Sequence, residues 1–400
     1  MTAPGVVSFQ WRMPVDVRFG AGCAAELPDR LGERSALVMA FEPATALGWR
    51  AQWTAALGQR LRAWIEVPDG LSSMARCREF SEQVWPVLEA NPGTVLIALG
   101  GGTTLDIAKL VRCRPVQARP QIDSQIDSQI DSLSGARLRT ASFDRVADAL
   151  RGRAPWLDLD LAPLWMVPTT AGTGSEVTRW ATVWDTDFEP AQKRSFDEAF
   201  GYADCAFVDP LLTHSCPAGV TRDTALDALS HALEAIWNRH ANPISDALAV
   251  SAARKVLNAL PVVLQDPANA QARSALSLAS LEAGFAFSQT RTALAHALSY
   301  AVTLEQGTPH GLACAMWLPT AWTLAQGCDA RVDGLLEQVF ARQADELGDP
   351  RDASHYARAL QVWLNSVGVS CDPASYGVLD ADRRIQAALS SARGRNFIAA

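Results

Sequence analysis

The sequence predicts an α/β domain built on a doubly wound, Rossmann-like parallel sheet, followed by an all-helical domain. Three observations carry this. In the first half, short uninterrupted apolar runs alternate with stretches of helical periodicity. From about Thr221 onward, Ala- and Leu-rich helical patterns follow one another with few strand signals. At 400 residues, the chain is also too long for one ordinary core.

The elements follow in order. Ser35 to Phe41 (SALVMAF), Thr94 to Gly100 (TVLIALG) and Pro163 to Pro168 (PLWMVP) are read as strands covered on both faces, because such strands lose the usual polar alternation. Between the first two, Thr45 to Trp64 and the segment around Phe80 to Leu88 carry helical periodicity. Further helices are expected over Ala225 to Arg239, Pro243 to Leu260, Asn269 to Ser288 and Gly334 to Leu347. DPLLTHSCP interrupts both patterns, which puts the boundary near Leu211 to Pro217 and gives domains 1–212 and 213–400. A ligand site is expected in the cleft between domains. Gln121 to Ser132 reads QIDS three times, too few copies for a solenoid. It is read as a tandem expansion in a mobile surface loop without catalytic role.

Composition narrows the function. Apolar residues make up 48% and charged residues 20%, as in a soluble globular chain, and the formal charge of -8 argues against nucleic acid or an anionic membrane as partner. The eight cysteines are scattered with no CxxC, and the N-terminal residues lack a signal-peptide pattern. No uninterrupted apolar run reaches the length of a membrane span. A cytoplasmic protein with free thiols is therefore expected.

The chemistry concentrates in two segments, DALSHALEA (Asp227 to Ala235) and ALAHALSYAVTLEQGTPHG (Ala293 to Gly311). They hold three of the chain's six histidines. Asp227 and His231, four apart in a helical pattern, project from one helix face. A metal needs such spacing to take two ligands from one rigid element, and His296 and His310 would complete the set. Three imidazoles and a carboxylate suit Fe(II), Zn(II) or a similar divalent ion. An isolated Asp-x-x-x-His pair is common on helix surfaces; the second segment, with the glycine-rich loops below, favours a metal site here over a surface pair or a satisfied buried His.

Two small-residue loops point to a cofactor. GGGTTLDIAK (Gly100 to Lys109) follows a strand and enters a helix. Its glycines allow close backbone approach, and the helix N-terminus, capped by Thr103 or Thr104, offers N–H groups to a diphosphate. It is not GxGxxG, since Leu105 holds the third glycine's place. PTTAGTGSEVT (Pro168 to Thr178) is a second such loop, and two of them suit a dinucleotide better than a single phosphate. Either could instead be an ordinary tight turn.

These pieces together resemble the iron-containing (group III) alcohol dehydrogenase family. FGAG (Phe19 to Gly22), GGGTTLDIAK, PTTAGTGSEVT, VDPLLT (Val208 to Thr213), DALSHALEA and PHGLACA (Pro309 to Ala315) occur in family order and cover nearly the whole chain. The resemblance implies the fold shared with dehydroquinate synthase, a dinucleotide-binding domain followed by a helical metal-binding one. It places metal ligands at Asp227, His231, His296 and His310. It places cofactor contacts at Gly100, Gly101, Gly102, Thr103 and Asp106, and at Thr169, Thr170 and Thr173. Many members carry a proton-relaying histidine four residues after the third metal ligand; here that residue is Tyr300. RTALAHALSY (Arg291 to Tyr300) and TRWATVWD (Thr178 to Asp185) resemble the phosphonoacetaldehyde reductase branch. The implied activity is NADH- or NADPH-linked reduction of a small phosphonate-bearing aldehyde to 2-hydroxyethylphosphonate, by a homodimer or larger homo-oligomer. Phe41, with Glu42 beside it, stands where an acidic residue would select NADH, which leaves both cofactors open.

The catalytic candidates are Tyr300, as proton donor or merely as packing beside the metal, and Arg291, five residues before His296, as a fork for two phosphonate oxygens. Arg179 and Arg239 are weaker alternatives to Arg291. Rival readings are a general short-chain alcohol dehydrogenase, a reductase of another phosphonate carbonyl, a dehydroquinate synthase-like lyase and a non-enzymatic cofactor binder. The lyase depends on several lysines, and this chain has only Lys109, Lys193 and Lys255.

Overall fold

A computed structural model describes residues 8–116, 135–156, 158–189, 191–345 and 353–400. The QIDS repeat at 121–132 lies outside the described residues. The chain divides into two compact units: one comprises 14–169 and 178–208, the other 1–13, 170–177 and 209–400. This differs from a single break after residue 212. The second glycine-rich loop leaves the sheet unit, because its glycines pack into the helical one. A Cβ on Gly174 (φ +58) would lie 2.8 Å from Gly284 Cα, and one on Gly172 would lie 2.5 Å from the Thr224 carbonyl oxygen.

Among the described residues, the sheet unit holds ten strands: β1 (Asp16–Phe19), β2 (Ala36–Phe41), β3 (Leu61–Val67), β4 (Val95–Gly100), β5 (Cys113–Pro115), β6 (Leu159–Leu161), β7 (Leu164–Pro168), β8 (Trp180–Asp185), β9 (Gln192–Asp197) and β10 (Cys205–Val208). Six form one parallel sheet in the order β1-β10-β7-β4-β2-β3. β4 and β7 are buried along their whole length and β2 up to Phe41, as their unbroken apolar runs require. The chain steps outward from β2 to β3, then crosses back to β4. The direction therefore reverses between β2 and β4, and in open parallel sheets the crevice at such a reversal, outside the strand carboxyl ends, is the ligand site. Phe41 and Gly100 stand at those ends.

The helix expected over Thr45 to Trp64 is a correction. The segment folds as helices Pro43–Ala46 and Trp49–Leu57 and then as β3. Gly48 (φ 78) and Gly58 (φ 53) leave the helical region, and β3 gains a parallel partner in β2 that outweighs the periodicity read through Trp64.

In the helical unit, the Ala218–Ile236 helix is central. Every residue from Ala225 to Ile236 is buried, which is the pattern of a helix enclosed on all sides. Pro243–Gln265 and Ala270–Thr290 pack against it, and their Ala252, Ala253, Val256, Ala279 and Ala283 are fully buried in the same core. Small side chains let these axes approach closely. Pro243–Gln265 is long and apolar enough, by length and composition alone, to cross a membrane, and its alanine-rich face belongs to this core. Leu294–Gln306 and His310–Ala315 follow.

Candidate metal centre

An enclosed helix tolerates polar side chains only when they are paired. The Ala218–Ile236 helix carries three ionisable groups in its buried part, Asp227, His231 and Glu234, at i, i+4 and i+7 on one face. His296 arrives from Leu294–Gln306, and His310 opens His310–Ala315. The close approach of that last helix depends on Gly311, where a Cβ would fall 1.8 Å from the Asp223 carbonyl oxygen.

The three imidazoles meet one carboxylate oxygen. Nε2 of His231, His296 and His310 lies 3.8, 3.4 and 3.8 Å from Asp227 Oδ1. Each opposite nitrogen is tied back. His231 Nδ1 stands 3.3 Å from the Gly172 carbonyl oxygen, His296 Nδ1 2.7 Å from Glu234 Oε2, and His310 Nδ1 3.4 Å from Ser299 Oγ. Nδ1–H donation of this kind leaves the Nε2 lone pair facing inward, the arrangement that orients metal-binding histidines. His231 is further clamped between the rings of Phe287 and His296, at centroid distances of 4.0 and 4.6 Å.

Asp227 Oδ1 and His296 Nε2 are buried and make no hydrogen bond. Leaving two such atoms unsatisfied is costly, and a cation at their meeting point satisfies both. Burial pushes the Asp227 carboxyl up, but the facing imidazoles, His231 first, reverse this and hold it well below the usual carboxylate range. Burial also holds the His231 imidazole down at about 4, so it is neutral at pH 7, as a ligand must be. The donor set fits a divalent ion.

Sequence reasoning missed two members of this cluster. Glu234 is fully buried, and besides His296 Nδ1 it accepts the backbone N–H groups of Ala293, Ala295 and His296, at 2.8, 2.5 and 3.2 Å. It therefore caps the start of the Leu294–Gln306 helix while orienting a ligand. Its place one turn after His231 was the available signal. Cys314, one of eight scattered cysteines, offers Sγ within 4.8 Å of the donor atoms of Asp227, His296 and His310. Burial pushes its thiol up, but the two imidazoles outweigh this and hold it at about 6.

Tyr300 lies beside the cluster, its ring parallel to His310 at a centroid distance of 5.9 Å. Arg291 does not share a helix with His296. It is exposed, ends the Ala270–Thr290 helix with φ 70, and precedes the break before Leu294. That left-handed turn undoes the spacing argument for it as the anion fork. Arg179 is paired to Asp197 at 2.7 Å, and Arg239 bonds the carbonyls of Phe397 and Ala400.

In the sheet unit, Gly100 leads into the Gly102–Val111 helix, whose cap residue is Gly101. Neither Thr103 nor Thr104 caps it. The Thr103 hydroxyl donates to the Gly70 carbonyl at 3.2 Å, and among the described residues no side chain accepts from the helix start. The first N–H groups are thus left for an anion. A Cβ on Gly100 would lie 2.6 Å from Thr104 Oγ1, so this position admits only glycine. Asp106 accepts from Thr182 N at 2.8 Å and buried Lys109 donates to the Trp180 carbonyl at 2.6 Å, so both anchor β8. Thr169 N donates to the Gly100 carbonyl at 3.0 Å, joining the two loops' strands. Thr170 and Thr173 belong to the helical unit, and Thr173 Oγ1 accepts from Ser175 N at 3.3 Å.

A sheet with its switch-point glycine turn, and a helical unit with a convergent Asp-His-His-His set, describe a metal-dependent dehydrogenase. The chain belongs to the iron-containing alcohol dehydrogenase family: "iron-containing alcohol dehydrogenase" matches residues 14–210, and "Fe-containing alcohol dehydrogenase family, C-terminal" matches 221–397. It is 39% identical to the probable alcohol dehydrogenase EutG of Escherichia coli over 158 residues, and so spans 40% of that relative's length and 40% of its own. It is 29% identical to a phosphonoacetaldehyde reductase of Streptomyces viridochromogenes over 335 residues, covering 80% of this chain and 73% of that one. Its fold matches that of a sulfoacetaldehyde reductase from Bifidobacterium kashiwanohense crystallised with NAD+, at a TM-score of 0.79 and 23% identity over 98% and 95% of the two chains.

Proposed function

We propose that this protein reduces a small aldehyde to a primary alcohol with NAD(P)H, and that its substrate is phosphonoacetaldehyde. The observation that carries the reductase reading is the convergence of three inward-facing Nε2 atoms on a buried, unpartnered Asp227 oxygen. Asp227, His231, His296 and His310 would hold the divalent ion, and the helix turn at Gly100–Thr103 would hold the dinucleotide phosphates. When bound, the ion supplies Lewis acidity toward a carbonyl oxygen and the nicotinamide supplies hydride.

The chain's own groups do the rest. The buried sides of the cluster exclude water, since the side chains of Asp227, His231 and His296 are 7%, 7% and 3% exposed. His310, at 39%, marks the side from which a substrate enters. Tyr300 lines that side, and its hydroxyl oxygen accepts from Arg393 Nη1. Its own O–H proton is then the one it has to give, and it passes to the product oxygen as the alcohol forms.

The phosphonate rests on the 29% identical relative of that activity and on a cation beside Tyr300. The general alcohol dehydrogenase reading draws support from EutG. The deciding experiment measures NADH and NADPH oxidation by the metal-reconstituted protein with phosphonoacetaldehyde, propanal and a phosphonopyruvate-type ketone. A higher kcat/KM for propanal than for phosphonoacetaldehyde would favour EutG's class, and no turnover of any aldehyde would end the reductase reading.

A further inference from the structure

A dianionic substrate head needs a cation that is fixed, reachable and not neutralised by a neighbouring carboxylate. Arg291 lies outside the Leu294–Gln306 helix, so its spacing from His296 does not by itself meet that need. Arg393 meets it from the far end of the chain. Its guanidinium carbon lies 5.1 Å from the centre of the Tyr300 ring, and its Nη1 donates to the Tyr300 hydroxyl and, at 2.8 Å, to Thr292 Oγ1. The Tyr300 ring in turn lies parallel to His310 at a centroid distance of 5.9 Å. No carboxylate of a described residue pairs with Arg393, and its Nε and Nη2 bond to none of them.

The group is also held in place. The turn after it, Gly394–Asn396, is locked by Asn396 Nδ2 to the Thr292 carbonyl at 2.8 Å and by the fully buried Phe397. Gly394 lies so close to Ala388 that a Cβ there would be 1.8 Å from its carbonyl oxygen. Nη1 is thereby fixed beside the Tyr300 hydroxyl, while Nε and Nη2 keep N–H donors with no partner among the described residues. Such a pair of donors matches two oxygens of a tetrahedral anion.

We infer that Arg393 is the residue that recognises the phosphonate, selecting a short aldehyde with an anionic tetrahedral head over a neutral one. This rests on the aldehyde-reductase reading above. Hydrogen bonds from a charged, preorganised fork favour the anionic substrate by about 10- to 100-fold.

The test compares wild type with Arg393→Gln and Arg393→Lys, each metal-reconstituted. The kcat/KM ratio of phosphonoacetaldehyde to propanal is measured, together with methylphosphonate affinity by calorimetry. The expected result is a ratio at least about 10-fold lower in Arg393→Gln, mostly through KM, with methylphosphonate binding lost. Arg393→Lys should recover only part of both, because an ammonium lacks the fork. An unchanged ratio with intact methylphosphonate binding in both variants would overturn the assignment. Should wild type show no preference for phosphonoacetaldehyde yet lose methylphosphonate binding on mutation, the anion site stands and the substrate reading falls. If Arg393→Gln does not fold, protection of Arg393 from phenylglyoxal by methylphosphonate, read by peptide mass spectrometry on wild type, decides. Absence of protection overturns the proposal.

Discussion

Replacing Glu234 by glutamine should weaken metal binding without touching a ligand. The carboxylate accepts four hydrogen bonds, from three backbone N–H groups and from His296 Nδ1. Burial pushes its carboxyl up, but His296 and these donors reverse that and hold it below the usual range, so it is ionised at neutral pH. Glutamine keeps the shape but brings an NH2 group against donors, so at least one N–H loses its acceptor in a fully buried place. An unmet buried donor costs about 1–3 kcal/mol. Loss of the anchor that orients a metal-binding histidine costs about 10- to 100-fold in metal affinity. The assay is competition with a chromogenic chelator, with melting of the metal-free protein measured alongside. Affinity falling within that range and a lower Tm of the metal-free form are expected. Wild-type affinity in Glu234→Gln would refute the claim that Glu234 sets the His296 ring.

Four further outcomes follow from the same structure. Saturating metal should raise stability relative to chelated protein by about 2.7 kcal/mol at a hundredfold excess over Kd, read as a Tm that rises with metal concentration; a Tm indifferent to metal would argue against the site. Gly311→Ala forces a Cβ onto the Asp223 carbonyl and should cost about 1–3 kcal/mol while loosening His310, measured by melting and by chelator competition. Tyr300→Phe should lower kcat about 100-fold with little change in KM, and an unchanged kcat would reduce Tyr300 to packing. Asp185 is buried and gripped by Arg151 through bonds of 2.8 and 2.7 Å, and Arg151, more than offsetting burial, holds its carboxyl below the ordinary 3.8. A depressed folded-state value means this contribution is complete above about pH 3.8 and disappears as pH falls through the lower folded value. Asp185→Asn should therefore melt well below wild type at pH 7, and the gap should close in strong acid; a gap that does not vary with pH would refute the pair's role.

The unbroken apolar runs at β2, β4 and β7 and the alanine-rich helices were legible in the sequence, because burial on all sides imposes its pattern locally. So was the convergence of Asp227, His231, His296 and His310. Asp227 and His231 share one helical face by simple periodicity, and His296 and His310 fall in segments whose family order is distinctive. What the sequence could not specify depends on contacts between distant residues. Leu61 to Trp64 carried a helix-like pattern and became part of strand β3 because β2 offered it a partner. The Pro168 to Thr178 loop read as a cofactor turn, and nothing in its pattern foretold that its Gly172 carbonyl would lie 3.3 Å from His231 Nδ1. Arg291 stood near His296 by residue count, but a positive-φ turn keeps the two off one helix. Arg393 lies 93 residues from Tyr300, and nothing local marks it. Local pattern reports what each segment needs; only the packed chain decides which side chains supply it, because close approach of backbones at Gly172, Gly174, Gly311 and Gly394 is a property of pairs, not of segments.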